Sequence, residues 1–308
     1  MSGRAAALLR HQLVVVTGKG GVGKTTIAAA LGVVAARRGL RVLVAEVARN
    51  DDVRATLGTE TSIRDHEVEL AFGVHHASID PDLALREYLV DQLGSRSLAD
   101  AVAQSRAFSY LAAATPGLRE MLTIGKVWEL AQPTRRDADA QPYDVVILDA
   151  PATGHGIATL TAPRTFARTA AVGRVARHAS IIDAFVSDVE QTAVVAVVRP
   201  EELPVNEALE LRRALETDVG LPLTLAVVNR VVADRFSAAD AARLDLAGRG
   251  VALGIARSRT RSVREQRSQI ARLRRGLECP VVSVHDLFRP ALDAGAIRAL
   301  AGKLERVL

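Results

Sequence analysis

Two lysines and a threonine lie within seven positions of one another in a glycine-rich stretch near the start of the chain. The glycines of such a stretch let successive backbone N–H groups turn towards one anion, as in a polyphosphate site. Lys24 is placed to reach the β- and γ-phosphates, and the hydroxyl of Thr25 to join the shell of a Mg²⁺ ion. The spacing G-x-x-x-x-G-K-[ST] predicts a nucleotide-binding loop made of Gly18, Lys19, Gly20, Gly21, Val22, Gly23, Lys24, Thr25 and Thr26.

The residues on either side of this loop predict the elements that hold it. Leu13 to Val16 is an apolar run typical of a buried strand, and Ile27 to Leu31 continues the loop into a helix. A strand, a glycine-rich loop and a helix in that order form the context that phosphate binding requires. Gly39 ends the helix, and a second strand is predicted at 41–46, which gives a β-α-β unit and a parallel sheet.

An acidic residue ends another predicted strand, at 144–149. In a protein with a phosphate loop, an acid at such a strand end approaches Mg²⁺, normally through water. An aspartate in this position otherwise serves as a helix cap. We therefore predict that Asp149 is a catalytic residue and lies with Thr25 on the metal side of the site.

Later strands are predicted at 193–198, 224–228 and 281–284. Ligands of open α/β sheets bind beyond the carboxyl ends of the strands. Pro200 follows the first of these strands, and Asn229 and Arg230 follow the second. These three residues are therefore predicted to face the nucleotide base.

Residues 47–142 differ in character from the rest, because alanine-rich helical patterns broken by glycines dominate there. A short strand is predicted around 74–79, followed by a helix that Asp80 caps and Pro81 opens. We interpret the chain, residues 1–308, as one domain with a mostly helical subdomain inserted at 52–135.

These motifs resemble those of the ATPases that pump arsenite or target tail-anchored membrane proteins. Lys19 occupies the position of an additional lysine in that family's modified phosphate loop, and Asp149–His155 is similar, in length and composition, to its second switch, D-T-A-P-T-G-H. Segments 116–120, 198–202 and 227–230 are similar to three further family motifs, in the same order. The resemblance covers nearly the whole chain.

The resemblance implies an α/β fold: a mostly parallel, doubly wound sheet of phosphate-loop NTPase type with an inserted helical subdomain. It implies ATP rather than GTP, with Mg²⁺, and a nucleotide-driven change in the packing of two subunits. In the family the additional lysine reaches the partner's nucleotide, so Lys19 is expected to be catalytic in a homodimer or in a heterodimer with a sister ATPase. Lys24 is expected to be catalytic in its own subunit, and Asn229 to read adenine.

The first switch departs from the family. There the family reads S-T-D-P-A, and its aspartate orients the attacking water, whereas the simplest alignment puts Ala48 in the aspartate's place. Glu46, Asp51 or Asp52 replaces it only if the loop brings a carboxylate within one water of the γ-phosphate. Asp51 is our candidate for this catalytic role. If none does so, these acids are solvated, and hydrolysis is slow or needs a partner.

Composition limits the other roles of the chain. The single Cys279 cannot form the multi-cysteine metalloid or zinc sites of the family. Apolar runs are too short to span a membrane, and we expect a soluble, cytoplasmic protein. Arg257 to Arg275 holds eight arginines and one acid, with few aromatic side chains to stack on bases. This stretch is interpreted as a solvated helix face, with an acidic partner or an anionic membrane surface as the alternative, and nucleic acid is not expected as a partner.

Three functions remain open at this stage. The first is a Mg²⁺-dependent ATPase whose two subunits change their packing with the nucleotide. The second is a nucleotide-gated module that recruits a membrane or protein partner with little or no turnover. The third is the ATPase motor subunit of an anion transporter, which needs a membrane-protein partner.

Overall fold

The structure is a computed structural model that describes residues 7–47, 51–58, 67–106, 110, 114–135, 140–169, 173–246, 248, 250–289 and 292–308. These residues form a sheet of eight strands in the order β3-β4-β2-β5-β1-β6-β7-β8. Neighbouring strands are parallel except β3 and β4, which are antiparallel. The strands are β1 (Leu13–Thr17), β2 (Val42–Val47), β3 (Val68–Glu69), β4 (Val74–Ile79), β5 (Val145–Asp149), β6 (Thr192–Val198), β7 (Leu225–Val231) and β8 (Val281–His285).

Helices connect most of these strands and cover both faces of the sheet. Two 3₁₀ helices, Leu8–Arg10 and Ala71–Gly73, and a π-helical turn, Leu215–Val219, are shorter elements of the described chain. The α-helices of the same residues are α1 (Lys24–Arg37), α2 (Asp52–Leu57), α3 (Pro81–Leu93), α4 (Arg96–Gln104), α5 (Leu118–Leu130), α6 (Thr153–Thr169), α7 (Arg174–Val186), α8 (Glu202–Ala214), α9 (Ala238–Leu246), α10 (Val251–Gly276) and α11 (Ala294–Glu305).

The central strands are apolar on both faces because both faces are covered. All five residues of β1 and all seven of β6 are buried. Alternate residues of β1 belong to two different cores: Leu13 and Val15 to one, Val14 and Val16 to the other. Strands buried on both sides are the signature of parallel sheets with helices on each face. The predicted doubly wound α/β fold is confirmed.

The two cores define the layers. Residues of α1, α2 and α11 pack on the face that carries Val14 and Val16. Residues of α5, α6, α7, α8 and α10 pack on the face that carries Leu13 and Val15. The carboxyl ends of the parallel strands therefore open between two helical layers, where the candidate residues lie.

The segment 52–135 contributes to the sheet as well as to the helices. Its strand at 74–79 was predicted and is confirmed as β4, which pairs with β2, and β3 adds a two-residue antiparallel strand beside it. Asp80 caps α3 as predicted, since its side chain accepts a hydrogen bond from the N–H of Asp82, and Pro81 occupies the first turn. The division into one domain with an inserted subdomain stays a prediction.

Candidate functional site

The glycine-rich loop runs from the end of β1 to the start of α1, and the neighbouring strands leave no room for side chains at two of its positions. Gly18 has φ +147°, and a Cβ there would lie 2.2 Å from the carbonyl oxygen of Val197. Gly23 has φ +95°, and a Cβ there would lie 2.4 Å from the side-chain nitrogen of Asn229. Glycine is thus required at both positions, because the loop packs directly against β6 and β7.

Lys24 lies in the first turn of α1, and its ammonium is held within the loop. The Nζ atom donates a hydrogen bond of 3.3 Å to the backbone carbonyl of Lys19. Burial lowers the pKa of Lys24, and the nearby charge of Asp149 acts in the opposite direction. A bound polyphosphate would compensate this loss of hydration, so the environment of Lys24 suits an anionic ligand.

Thr25 and Asp149, which we predicted on the metal side of the site, are in direct contact. The Thr25 hydroxyl donates a hydrogen bond of 2.5 Å to Oδ2 of Asp149. The other carboxylate oxygen, Oδ1, is buried and has no hydrogen-bond partner among the residues described. An unpartnered carboxylate oxygen beside a threonine hydroxyl is an oxygen donor set of the kind that Mg²⁺ prefers. The residues present therefore fit a magnesium ion.

The same carboxyl group is unusual in its proton affinity. Burial raises the pKa of Asp149 to about 6, and the charges of Glu46 and Asp52 act in the same direction. The hydrogen bond from Thr25 and the charge of Lys24 oppose this rise. A bound cation would favour the ionised form, so Mg²⁺ would offset the energetic cost of burying this carboxylate.

Of the three acids considered for the first switch, Glu46 is buried and already engaged. Its Oε2 atom accepts a hydrogen bond of 3.0 Å from the N–H of Val53 and lies 2.7 Å from Nε2 of His76. Asp51 is exposed immediately before α2, and Asp52 is the first residue of that helix. Ala48 lies outside the described residues. The role of Asp51 in orienting water stays a prediction.

A residue near the end of β7 forms a hydrogen bond with the phosphate loop. The side-chain amide of Asn229 donates a hydrogen bond of 2.9 Å to the carbonyl of Val22, and its oxygen accepts one from the N–H of Arg230. Asn229 is buried, and Arg230 has the left-handed φ of +56°. Asn229 therefore contacts the loop directly, which the sequence did not predict.

A groove of about 510 Å³ opens beside Thr26 at the start of α1. Asn229 and Arg230 contribute to it, as predicted for a base site, while Pro200 is buried after β6 and is not among its described lining residues. The volume falls within the range of small-molecule sites. The lining residues are Thr26, Asn229, Arg230, His285, Asp286, Leu287, Phe288, Arg289, Leu292 and Leu300.

Lys19 contacts a residue of its own chain. Its ammonium lies 2.5 Å from Oε1 of Glu207, on α8, and the two side chains are 31% and 27% exposed. The second oxygen of Glu207 accepts a hydrogen bond of 3.3 Å from the hydroxyl of Thr153, at the start of α6. Sequence reasoning missed Glu207, since it belongs to no motif and lies 188 residues from Lys19.

The structure also bears on the features that the composition of the chain indicated. The arginine-rich stretch lies on the helix α10, as predicted, and Cys279 is buried. In the part of the chain that the structure describes, no group of three or more His, Cys, Asp or Glu side chains is arranged to hold a metal ion. No described helix is both long enough and apolar enough to cross a membrane.

The chain is similar in sequence to known proteins. The model of a family described as anion-transporting ATPase matches residues 11–182. ATPase BagA of Mycobacterium tuberculosis is 33% identical over 240 residues, which cover 75% of this chain and 68% of BagA. The uncharacterized protein SCO2128 of Streptomyces coelicolor is 32% identical over 158 residues, 50% of this chain and 37% of its own length. The family match includes the phosphate loop, Asp149 and Thr153 but ends before Glu207 and Asn229.

Proposed function

The chain belongs to the anion-transporting ATPase family, and we propose that it is a Mg²⁺-dependent ATPase in which two subunits change their packing with the bound nucleotide. The contact between Thr25 and Asp149 carries this proposal. It joins the phosphate loop to the second switch and leaves one carboxylate oxygen of Asp149 without a partner among the described residues. This arrangement suits a nucleotide bound together with a metal ion.

The residues have distinct roles in this proposal. The loop amides and Lys24 bind the phosphates, and Asn229 holds the loop in shape through the carbonyl of Val22. Thr25 and Asp149 would hold Mg²⁺, which when bound neutralises charge on the phosphate oxygens. Asp51 is our candidate to orient the attacking water, so that phosphoryl transfer to water completes the reaction.

We place the adenine ring in the groove lined by Thr26, Asn229 and Arg230. The groove begins at the first turn of α1, immediately after the lysine and threonine that serve the phosphates. A nucleotide that extends from the loop along this direction reaches the ends of β7 and β8. ATP is the proposed nucleotide. Pro200 is not among the described lining residues of the groove, so its contact with the base stays a prediction.

We propose that the active form is a dimer, either of two copies or with a sister ATPase. Lys19 is the residue that would complete the partner's site. The glycines beside it, Gly20 and Gly21, are exposed, and a Cβ built on either meets no atom of the described residues within 4 Å. In the described part of the chain, the loop therefore leaves open space on this side, as an approach by a second nucleotide-bound subunit requires.

Phosphate release from Mg·ATP, measured against protein concentration, tests the proposal. Turnover per chain should rise with concentration if the dimer is the active form. Lys24→Met should abolish turnover and weaken ATP binding at least tenfold, because a charge-assisted contact to phosphate is lost. Lys303→Met on α11 is the matched control and should behave as wild type. Failure of the wild-type protein to bind Mg·ATP would overturn the assignment.

A nucleotide-gated binding module is the second candidate, and the environment of Glu46 favours it. The two hydrogen-bonding contacts of Glu46 leave this carboxylate poorly placed to activate water. ATP binding without turnover at any protein concentration would support this candidate.

An anion-transporter motor is the third candidate, and co-purification of an integral membrane protein with the chain would support it. The absence of a multi-cysteine metalloid site is part of all three proposals, since the chain has one cysteine.

A further inference from the structure

Glu207 joins two parts of the site that are far apart in sequence. One carboxylate oxygen forms the ion pair with Lys19, and the other accepts the hydrogen bond of Thr153. Lys19 belongs to the phosphate loop, while Thr153 lies in the second switch, Asp149–His155, and begins α6. The side chain of Glu207 is only partly exposed, so its carboxylate is positioned by its two partners and by α8 rather than by solvent.

Both the side chain and the backbone of Lys19 form contacts within the chain. Its ammonium contacts Glu207, and its backbone carbonyl accepts the hydrogen bond from the Lys24 ammonium. A continuous series of contacts therefore runs from Lys24 through Lys19 and Glu207 to Thr153. Both lysines of the loop therefore contact groups of their own chain.

We propose that Glu207 is a positioning residue that retains Lys19 while the phosphate loop is empty and releases it when a polyphosphate binds. This inference rests on the proposed function. A polyphosphate carries several negative charges and attracts Lys24 away from the carbonyl of Lys19. Because a partly exposed ion pair contributes little free energy, a loop that changes shape by a small amount is enough to break it.

The release has a consequence for each of the two partners of Glu207, Lys19 and Thr153. Lys19 becomes free to reach a second subunit, so the nucleotide is bound before the subunits associate. The carboxylate of Glu207 loses its cationic partner and retains Thr153, so the first turn of α6 is expected to adjust. α6 packs against α5 and α7 on one face of the sheet. A nucleotide-dependent change at Thr153 would thereby reach the helical layer.

Chemical modification of lysines tests the proposal directly, because the chain has four: Lys19, Lys24, Lys126 and Lys303. Acetylation by a trace amount of acetic anhydride, followed by peptide mass spectrometry, gives the rate at each one relative to Lys303. The experiment uses the full chain, at a concentration where light scattering shows monomers. It compares the nucleotide-free protein with the protein bound to Mg²⁺ and a non-hydrolysable ATP analogue.

In the nucleotide-free protein we expect Lys19 to react slowly and Glu207→Gln to raise its rate about fivefold, the factor expected for an ion pair of this exposure. Glu210→Gln, an exposed position on the same helix, should leave the rate unchanged. The ATP analogue should raise the rate at Lys19 in wild type but not in Glu207→Gln. Thermal unfolding should show that both variants fold, and Glu207→Ala provides a second test of the same contact.

The two proposals fail in different ways. If the ATP analogue does not protect Lys24 in wild type, the proposed nucleotide site is wrong. If Lys24 is protected but Lys19 reacts equally fast in wild type, Glu207→Gln and Glu207→Ala, with and without the analogue, the role of Glu207 is wrong. A Lys19 rate that depends on Glu207 but not on nucleotide would also overturn the release step, since the ion pair would then be only structural.

Discussion

Glu46 and Asp149 occupy paired positions in the neighbouring parallel strands β2 and β5, so their two carboxyl groups lie side by side at the carboxyl ends of these strands. Glu46 is buried and bound to the N–H of Val53, with His76 beside it, whereas Asp149 is bound by Thr25. The charge of Glu46 adds to the effect of burial in raising the pKa of Asp149. Two carboxyl groups that disfavour each other's ionisation therefore lie next to the phosphate loop.

Replacing the carboxylate of Asp149 by an amide should stabilise the protein in the absence of nucleotide, by an amount that depends on pH. The carboxyl of Asp149 shifts from an ordinary pKa of 3.8 to about 6 in the folded protein. Between these values the native state binds more protons than the unfolded state, so its contribution to stability falls as pH rises through this window and stays low above it. Asp149→Asn should therefore raise the free energy of unfolding by about 3 kcal/mol at pH 8, which is the equivalent of this pKa shift, and by much less at pH 4.

Urea unfolding of wild type and Asp149→Asn between pH 4 and pH 8 measures this difference. Asp100→Asn, an exposed aspartate on α4, is the control and should change stability little at any pH. An Asp149→Asn effect that is the same at both ends of the range would contradict the assigned pKa. The same variant should also bind Mg·ATP more weakly, because the proposed metal-side carboxylate is gone.

Two glycines of the phosphate loop should differ sharply in their tolerance of alanine. A Cβ on Gly18 collides with the backbone oxygen of Val197, and its φ is unfavourable for any L side chain, so Gly18→Ala should cost more than about 3 kcal/mol. A Cβ on Gly20 meets no atom of the residues described within 4 Å, and Gly20→Ala should change stability by less than about 1 kcal/mol. Thermal unfolding of the two variants without nucleotide checks the contrast, and equal losses would contradict it.

The amide of Asn229 should contribute both to stability and to nucleotide affinity. Asn229→Ala leaves the buried carbonyl of Val22 without this donor, which should cost about 1–3 kcal/mol. The loop would also be less fixed, so ATP should bind more weakly. Asn206→Ala is the control, since the side-chain oxygen of Asn206 has no described partner to lose. Calorimetry measures ATP binding, and urea unfolding measures stability. An unchanged affinity for ATP would show that Asn229 does not contribute to nucleotide binding.

The arginines of α10 allow a test of the anionic membrane surface, which the sequence left open as an alternative to a solvated helix face. Four of its exposed arginines lie on one face of the helix, within an arc of about 80° and over about 21 Å of its length. Binding to vesicles that contain phosphatidylserine should be lost when these four are changed to glutamine together, and it should weaken with salt. The control replaces exposed arginines elsewhere, for the same change in net charge. The tested residues are Arg261, Arg264, Arg272 and Arg275, and the controls are Arg10, Arg38, Arg298 and Arg306.

Equal vesicle binding by the tested and control variants would show that net charge alone is responsible. Binding of duplex DNA by wild type, lost in the tested variant, would replace the membrane by nucleic acid. Vesicles of phosphatidylcholine alone serve as the uncharged reference. If wild type binds neither kind of vesicle, α10 is a solvated helix, which is the interpretation that the sequence favoured.

The fold was predictable because its signals are local. Apolar runs long enough for one strand, a glycine-rich loop between strand and helix, and a carboxylate at a strand end each occupy a short segment. The antiparallel β3 was not predicted, since a strand of two residues carries almost no periodicity. The contact of Asn229 with Val22 was also not predicted, because the motif indicated a residue near the base and not which atoms it would bind.

The ion pair of Lys19 and Glu207 shows the limit of sequence reasoning more clearly. Glu207 lies on a helix with other glutamates, including Glu202 and Glu210, and nothing in the local pattern distinguishes it. Only the packing of α8 beside the phosphate loop selects it. Contacts between helices and loops of distant sequence depend on the assembled sheet, so composition and spacing do not reveal them.

The place of β1 in the sheet also determines when the site can form during synthesis. β1 lies between β5 and β6, whose sequences follow it by more than a hundred residues, and the loop is completed by Asn229 on β7. A growing chain therefore carries the full phosphate-binding motif long before it has the strands that shape it. The ribosome must add the greater part of the chain before ATP meets a formed site, so newly made protein is expected to acquire nucleotide late, and a chain that stops before residue 229 should not acquire it at all.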